Sequence, residues 1–301
     1  MMHRILGRGP AVLFLHGLPT GGRLWDGTAR ALGRTHTCVL VDLPGVGGAV
    51  PLPESGMDLE ACVAALELLR SQLGLSAWHV VGHDAGASVA AQYAACHPTR
   101  VRRLVLLAPP LMADFRPPAV MRLLRLPLLG ELLAPALLPL FWRLLLPLAL
   151  MRPGDAASRR VLRGFAAPFR GPRGRRHFLG LVRWGDPAAV LGRIEARLGA
   201  IQAPTLVLHG RHDLAIDVSY AERAAAAIPG ARLRLLDAGH FLALEEPELL
   251  AAELAGFLGS AASEPRPMAL RDPVPEAEGL PGQGLVDAPL TAPLLVGSSP
   301  I

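Results

Sequence analysis

Six short apolar runs, Val12–Leu15, Thr37–Val41, Trp78–Val81, Leu104–Leu107, Thr205–His209 and Leu233–Leu236, alternate with stretches of helical composition. Near-continuous apolar strands separated by helices predict a mostly parallel sheet with helices on both faces. At 301 residues the chain is long enough to bury a substantial core, as one large domain or two small ones. A hydrophobic content of 51% excludes a mainly disordered protein.

The third run leads directly into Gly82-His83-Asp84-Ala85-Gly86, and this leads into an Ala-rich helical stretch ending at His97-Pro98. The pattern is strand, sharp turn, helix. Such a turn needs Gly where backbone passes close to backbone, and it lifts its central side chain out of the sheet. A Ser usually stands at the centre of this elbow; here it is Asp84. A carboxylate suits ordinary ester hydrolysis poorly, because attack on an acyl carbon gives a strained mixed anhydride. It suits displacement of a leaving group at saturated carbon, which leaves an ester on the enzyme. The bland alternative is a turn residue that hydrogen-bonds its own backbone.

Three further motifs follow strand-like runs: His16-Gly17-Leu18-Pro19, Gly210-Arg211-His212-Asp213 and Gly239-His240. The ordered set, with nucleophile, then Asp, then His, resembles the α/β-hydrolase superfamily. The branch it resembles uses an aspartate nucleophile and comprises epoxide hydrolases and haloalkane or haloacetate dehalogenases. The resemblance covers most of Val12 to Leu258. It implies the α/β-hydrolase fold with Asp84 as nucleophile and His240 as general base, since an imidazole suits taking a proton from water at neutral pH. Asp213 would orient His240; it is preferred to Asp217 because it sits immediately after the strand. Asp114, at a position some dehalogenases use, is a weaker candidate for the acid. The backbone N–H groups of Leu18 and Ala85 would form the oxyanion hole, with a cis bond before Pro19 aiming the loop. His16 and His83 read as braces, and Trp25, Asp42 and Gly45 as structural.

The alternation of strands and helices breaks between Leu111 and about Gly192, where the family inserts a helical cap over the site. The implied division is hydrolase core over 1–110 and 193–259, cap over 111–192, and a Pro/Gly-rich disordered tail over 260–301. Only about ten residues precede Val12, so the family's antiparallel N-terminal hairpin is expected to be reduced or absent. Within the cap, Leu126–Met151 is apolar enough to suggest a membrane span, but Pro127, Pro135, Pro139, Pro147, Glu131 and Arg143 interrupt it. Short helices walling a greasy pocket are expected, with interfacial lipid contact as the alternative.

The formal charge of +5 and pI near 10.0 would ordinarily raise nucleic-acid binding. Every one of the 30 basic residues is Arg, however, which points to codon bias, and they lack the interleaved aromatics of a nucleic-acid surface. No nucleic-acid partner, cofactor or metal is expected. The three cysteines are too few and scattered for a disulfide framework, and Cys38 and Cys96 read as small buried hydrophobes. With no visible secretion signal, the expected location is the cytoplasm.

Departures from the branch bear on substrate. Epoxide hydrolases use two cap tyrosines as acids; Tyr93 and Tyr220 both lie outside the cap. Haloalkane dehalogenases hold halide with a Trp after the nucleophile and often an Asn after His-Gly, where Ala85 and Leu18 stand. Haloacetate dehalogenases use arginines just after the nucleophile, where Ala85 and Ser88 stand. Trp142, His177 and Trp184 are the cap's available replacements, although each residue type more often packs than catalyses. The expected function is hydrolysis, through an alkyl ester on Asp84, of a small apolar epoxide or organohalide with water. Epoxide is slightly favoured, because the dehalogenase Asn is missing. The alternatives are a hydrolase or lyase of another bond, ester or C–C, with Asp84 as acid or base, and a non-catalytic ligand-binding protein of the same fold. An idle fold has no physical need for Asp213 and His240 together.

Overall fold

The computed structural model of the protein describes residues 1–46, 58–150, 155–183 and 186–259. Seven strands form one sheet in the order β1-β3-β2-β4-β5-β6-β7: β1 His3–Gly7, β2 Ala11–Leu15, β3 Thr37–Val41, β4 Trp78–His83, β5 Val101–Leu107, β6 Thr205–Gly210 and β7 Arg232–Leu236. All neighbours are parallel except β1, which runs antiparallel to β3. The six apolar runs are β2 to β7. The N-terminal hairpin is reduced to the single strand β1, which closes the sheet edge.

Every residue of β2, β3 and β4 is buried, whichever face its side chain takes. That requires helices on both faces. Helices Asp26–Leu32 and Pro247–Leu258 pack together, as do Leu59–Gln72 and Ala85–Cys96. The strand order reverses at β2, which lies between β3 and β4, with Leu15 level with Gly82. Loops leaving the C-terminal ends of β2 and β4 therefore diverge from one point, where open α/β sheets form their crevice. Topology thus sets Leu18 beside Asp84.

Between β5 and β6 the described residues are helical and contain no strand. Helices span Ala119–Arg125, Leu129–Leu140, Ala156–Phe165, Gly171–Val182 and Pro187–Glu195. A π turn at Phe141–Leu145 and a 3-10 turn at Leu146–Ala149 extend the second of these. The resulting Leu129–Ala149 stretch, 21 residues, is long and apolar enough to cross a membrane. The expected tail over 260–301 and Trp184 lie outside the described residues.

Cys38 and Cys62 are buried, and burial pushes both thiols up to about 12. Cys96 departs from expectation. It ends its helix exposed, with Arg197 donating to its Sγ at 3.5 Å, because the helix end runs out of the buried stretch that closes at Ala94.

Candidate active site

Asp84 stands between β4 and helix Ala85–Cys96 with φ 50° and ψ −122°. A non-glycine residue adopts positive φ only when its surroundings over-determine it. Here its N–H donates to the Leu107 carbonyl at 3.0 Å and its carbonyl accepts from Ala87 N–H at 2.8 Å. The flanking glycines are needed for closeness. A Cβ on Gly82 would lie 2.4 Å from the Gly86 carbonyl oxygen, and one on Gly86 2.5 Å from the Leu15 and His16 oxygens.

The Asp84 carboxylate faces the loop after β2, where the Leu18–Pro19 bond is cis. Leu18 N–H donates to Oδ2 at 2.9 Å. A Cβ on Gly17 would come within 2.7 Å of the same oxygen, so Gly17 reserves its place. Burial raises the Asp84 pKa above the ordinary carboxylate range; the charge of His240 and the Ala85 and Leu18 N–H groups oppose that rise. A basic-tending carboxylate held in a cradle of N–H groups is ready to act as a nucleophile or as a proton carrier.

His240 follows β7, and its Nδ1 lies 2.8 Å from Asp213 Oδ2. Asp213, in the turn after β6, accepts Ala215 and Ile216 N–H groups on Oδ1 at 2.7 and 2.9 Å. Burial alone would raise the Asp213 pKa, but the charge and hydrogen bond of His240 hold it at about 2. An ionised Asp213 makes Nδ1 the donor, which leaves Nε2 available as a base. Burial would lower the His240 pKa, and Asp213, then Asp84, raise it above its ordinary value. Asp217 is occupied elsewhere, capping helix Val218–Ala227 through Ser219 N–H at 2.9 Å. Asp114 is exposed and paired with Arg223 at 2.8 Å.

Several braces hold this arrangement. His16 Nε2 accepts from Leu43 N–H at 2.9 Å, while Nδ1 meets the Gly17 carbonyl at 2.9 Å. His83 Nε2 meets the His240 carbonyl at 2.9 Å, and burial, then His240, lowers its pKa to about 3, so His83 is a neutral donor. Asp42 accepts Gly22 N–H at 2.7 Å and Trp25 is buried against Phe14, both structural as expected. Two braces escaped the sequence reading. Glu245 accepts the N–H groups on either side of His240, from Gly239 and Phe241, at 3.2 and 3.1 Å. His209 Nε2 lies 3.6 Å from Asp213 Oδ2 and 3.0 Å from the Ile216 carbonyl. A turn Glu and a strand-end His carry no motif that would mark them.

Asp84 and His240 open on a cavity of about 390 Å³. Leu18, Pro19 and Ala85 line it from the core, and Met121, Phe141, Leu145 and Val182 from the inserted helices. Its polar side chains among the described residues are Asp84, His240, Ser88 and Arg125. Ser88 is committed to the Pro110 carbonyl at 3.0 Å, and Arg125 donates to the Val182 carbonyl. Trp142 and His177 do not reach this wall. Trp142 is buried and stacks on Phe169, with ring centroids 5.8 Å apart; His177 stacks on the same ring and meets the Gly45 carbonyl at 2.6 Å. Stacking on Phe169 holds Trp142 inside the insertion and turns His177 toward the loop after β3, which overturns the expectation that they reach the pocket. Neither tyrosine is there either: Tyr93 donates to Glu67 at 2.8 Å and Tyr220 to the Asp114 carbonyl at 3.3 Å.

Comparison with known proteins identifies the fold family. A family model described as the alpha/beta hydrolase fold matches residues 10–247. The pimeloyl-(acyl-carrier protein) methyl ester esterase of Chromobacterium violaceum is 31% identical over 76% of this chain and 85% of its own length. The haloalkane dehalogenase of Bradyrhizobium diazoefficiens is 27% identical over 83% of this chain and 87% of its own. The crystal structure of an ancestral haloalkane dehalogenase, 27% identical, covers 87% of this chain and 96% of that one with a TM-score of 0.73. The chain belongs to the α/β hydrolase fold family and is a hydrolase.

Proposed function

We propose that the protein hydrolyses a small apolar substrate through an alkyl ester formed on Asp84, and that the bond it breaks is one from saturated carbon to halogen. The observation that carries this reading is the placement of Asp84 Oδ2 in the N–H cradle. In an ester hydrolase that uses Ser, the cradle stays open for the substrate's carbonyl oxygen. A nucleophile that fills the cradle with its own oxygen is arranged for attack on it: the tetrahedral centre then forms at Asp84 itself.

The atoms balance in two steps. Asp84 Oδ1 attacks the substrate carbon and halide leaves with the bonding pair, giving the ester. His240 Nε2 then takes a proton from water as the water oxygen bonds to Asp84 Cγ, and negative charge develops on Oδ2 against Leu18 and Ala85 N–H. Collapse expels the alcohol, which takes its proton from His240, and leaves Asp84 as the acid, whose remaining proton passes to solvent to restore the carboxylate. The net reaction consumes one water and yields alcohol, halide and a proton.

The choice of halide over epoxide rests on the wall of the cavity. An opening epoxide oxygen must be protonated, whereas halide leaves without a proton. Among the described residues the cavity presents no tyrosine, and the two dehalogenase relatives match along most of the chain. This reverses the slight preference drawn from the sequence, which rested on the missing Asn alone. The apolar cavity suits an apolar substrate.

The test is a single turnover in ¹⁸O-water. The label is expected in Asp84, with the product unlabelled. His240→Gln is expected to accumulate an adduct on Asp84, visible by mass spectrometry, with halide released once per enzyme. First-turnover product carrying the label, with no adduct in the variant, would instead make Asp84 an acid or base for direct attack by water.

A further inference from the structure

The helix that roofs the cavity is apolar on both faces, but only one face is buried. Gly130, Ala134, Leu138, Trp142 and Leu146 turn inward at four-residue spacing. The opposite row, Leu128, Leu132, Leu140, Leu144 and Leu148, is exposed at 85%, 74%, 44%, 54% and 45%. A surface helix ordinarily presents charge on its outer face. Between Leu129 and Ala149 the only charged residues are Glu131 and Arg143, and Glu131 is tied by Arg183 at 2.5 and 2.8 Å. Leu148 also lines the cavity, as does Leu214 from the turn after β6, itself 80% exposed. The apolar surface therefore continues into the pocket mouth.

Charge is segregated to the same segment. Residues 111–192 hold thirteen Arg against four acidic residues, while the rest of the chain holds seventeen Arg against twenty-one. Arg122, Arg143, Arg160, Arg163, Arg173 and Arg176 are exposed. Exposed leucines in a segment rich in exposed arginines fit an interface between acyl chains and anionic headgroups.

We propose that this face of the insertion docks on a bilayer surface rich in anionic phospholipid, with Leu132, Leu140, Leu144 and Leu148 entering the acyl boundary and the arginines meeting the headgroups. A second copy of the chain fits less well, because two basic faces repel. A spanning role is disfavoured because the inner face of the helix is built into the core, where the Ala149 carbonyl accepts His240 N–H at 2.8 Å. The proposal stands on exposed surface and charge, and holds whichever chemistry Asp84 performs.

Flotation of the full chain with vesicles tests it, comparing phosphatidylcholine alone with phosphatidylcholine containing about 30% phosphatidylglycerol. In low salt the anionic vesicles are expected to retain at least about tenfold more protein, because each arginine near such a surface adds about fivefold. Raising NaCl to about 0.5 M should remove most of that excess by screening, and an alkaline carbonate wash should release the protein. The variant carrying Leu132→Glu and Leu144→Glu, neither position lining the cavity, should lose at least about tenfold of the binding while unfolding at the same temperature. Should that variant not fold, Arg160→Gln with Arg163→Gln should lower the anionic preference and its salt sensitivity instead. Equal partition into both vesicles, no flotation, or resistance to carbonate each overturns the proposal. So does a dimer in light scattering that the leucine variant dissolves, which would make a second copy the occupant.

Discussion

At the scale of single residues, the site is a set of three charges whose states depend on one another. The His240 pKa is set by burial, which lowers it, against Asp213 and then Asp84, which raise it further. Esterification of Asp84 in the proposed first step would erase one of the two raising charges. The base would therefore become neutral at lower pH in the intermediate than in the resting enzyme, when it must accept a proton from water. Asp84→Asn mimics that neutral state with nearly the same shape. NMR titration of His240 is expected to give a lower pKa in Asp84→Asn than in the unaltered protein, and a still lower one in Asp213→Asn, because Asp213 supplies the larger effect. An unchanged His240 pKa in Asp84→Asn would mean that the two groups are not electrically coupled, and the intermediate would gain nothing from losing the Asp84 charge.

At the scale of elements, what the sequence disclosed divides by how local the signal is. Asp84, Asp213, His240, Leu18 and Ala85 each sit within a few residues of a strand end, and the parallel sheet brings those ends to one edge. A motif beside a strand therefore carries three-dimensional information. The inserted helices have no such frame. Nothing in the sequence distinguishes Trp142, which stacks on Phe169, from Met121 or Val182, which face the cavity. Arg125 at the wall was hidden for the same reason, since its partner Val182 comes from a distant segment, whereas His209 behind Asp213 has local partners and was hidden because a strand-end His carries no motif. The elbow itself makes a sharp prediction. Gly86→Ala would set a methyl 2.5 Å from two backbone oxygens of the β2 loop, atoms that cannot step aside without moving the strand. Chemical denaturation should show a loss of at least about 3 kcal/mol, or no folded protein. The control is Gly180→Ala, in helix Gly171–Val182, where an added methyl meets nothing within 4 Å. It should be neutral or stabilising by up to about 1 kcal/mol. Equal effects in the two variants would show that close approach at the elbow is not what Gly86 provides.

At the scale of the whole molecule, carboxylates of opposite tendency shape stability against pH. Asp213 and Glu67 both ionise unusually easily, at about 2, in each case because of a cationic partner: His240 for Asp213 and Arg70, at 2.6 Å, for Glu67. The unfolded chain takes up protons at these positions near pH 4 while the folded chain does not. Their stabilisation is therefore complete above about pH 5 and is lost as pH falls toward 2, with buried Asp213 carrying the larger share because solvent screens the part-exposed Glu67. Asp84 has the reverse sign, because burial raises its pKa. It costs stability at neutral pH, and that cost is relieved as pH falls through its folded value. His83, His16 and His209 act against that gain: burial lowers their pKa values, to about 3 for His83, so below about pH 6.5 the unfolded chain takes up protons there that the folded chain does not. The sum predicts greatest stability near neutral pH and a fall that steepens below about pH 4. In denaturant titrations between pH 2 and 8, Glu67→Gln should make the fall below pH 4 shallower, whereas Asp84→Asn should raise stability at neutral pH and leave that limb intact. A Glu67→Gln limb as steep as the original would place the acid sensitivity elsewhere, and no gain at neutral pH in Asp84→Asn would show that the buried elbow carboxylate does not destabilise the fold.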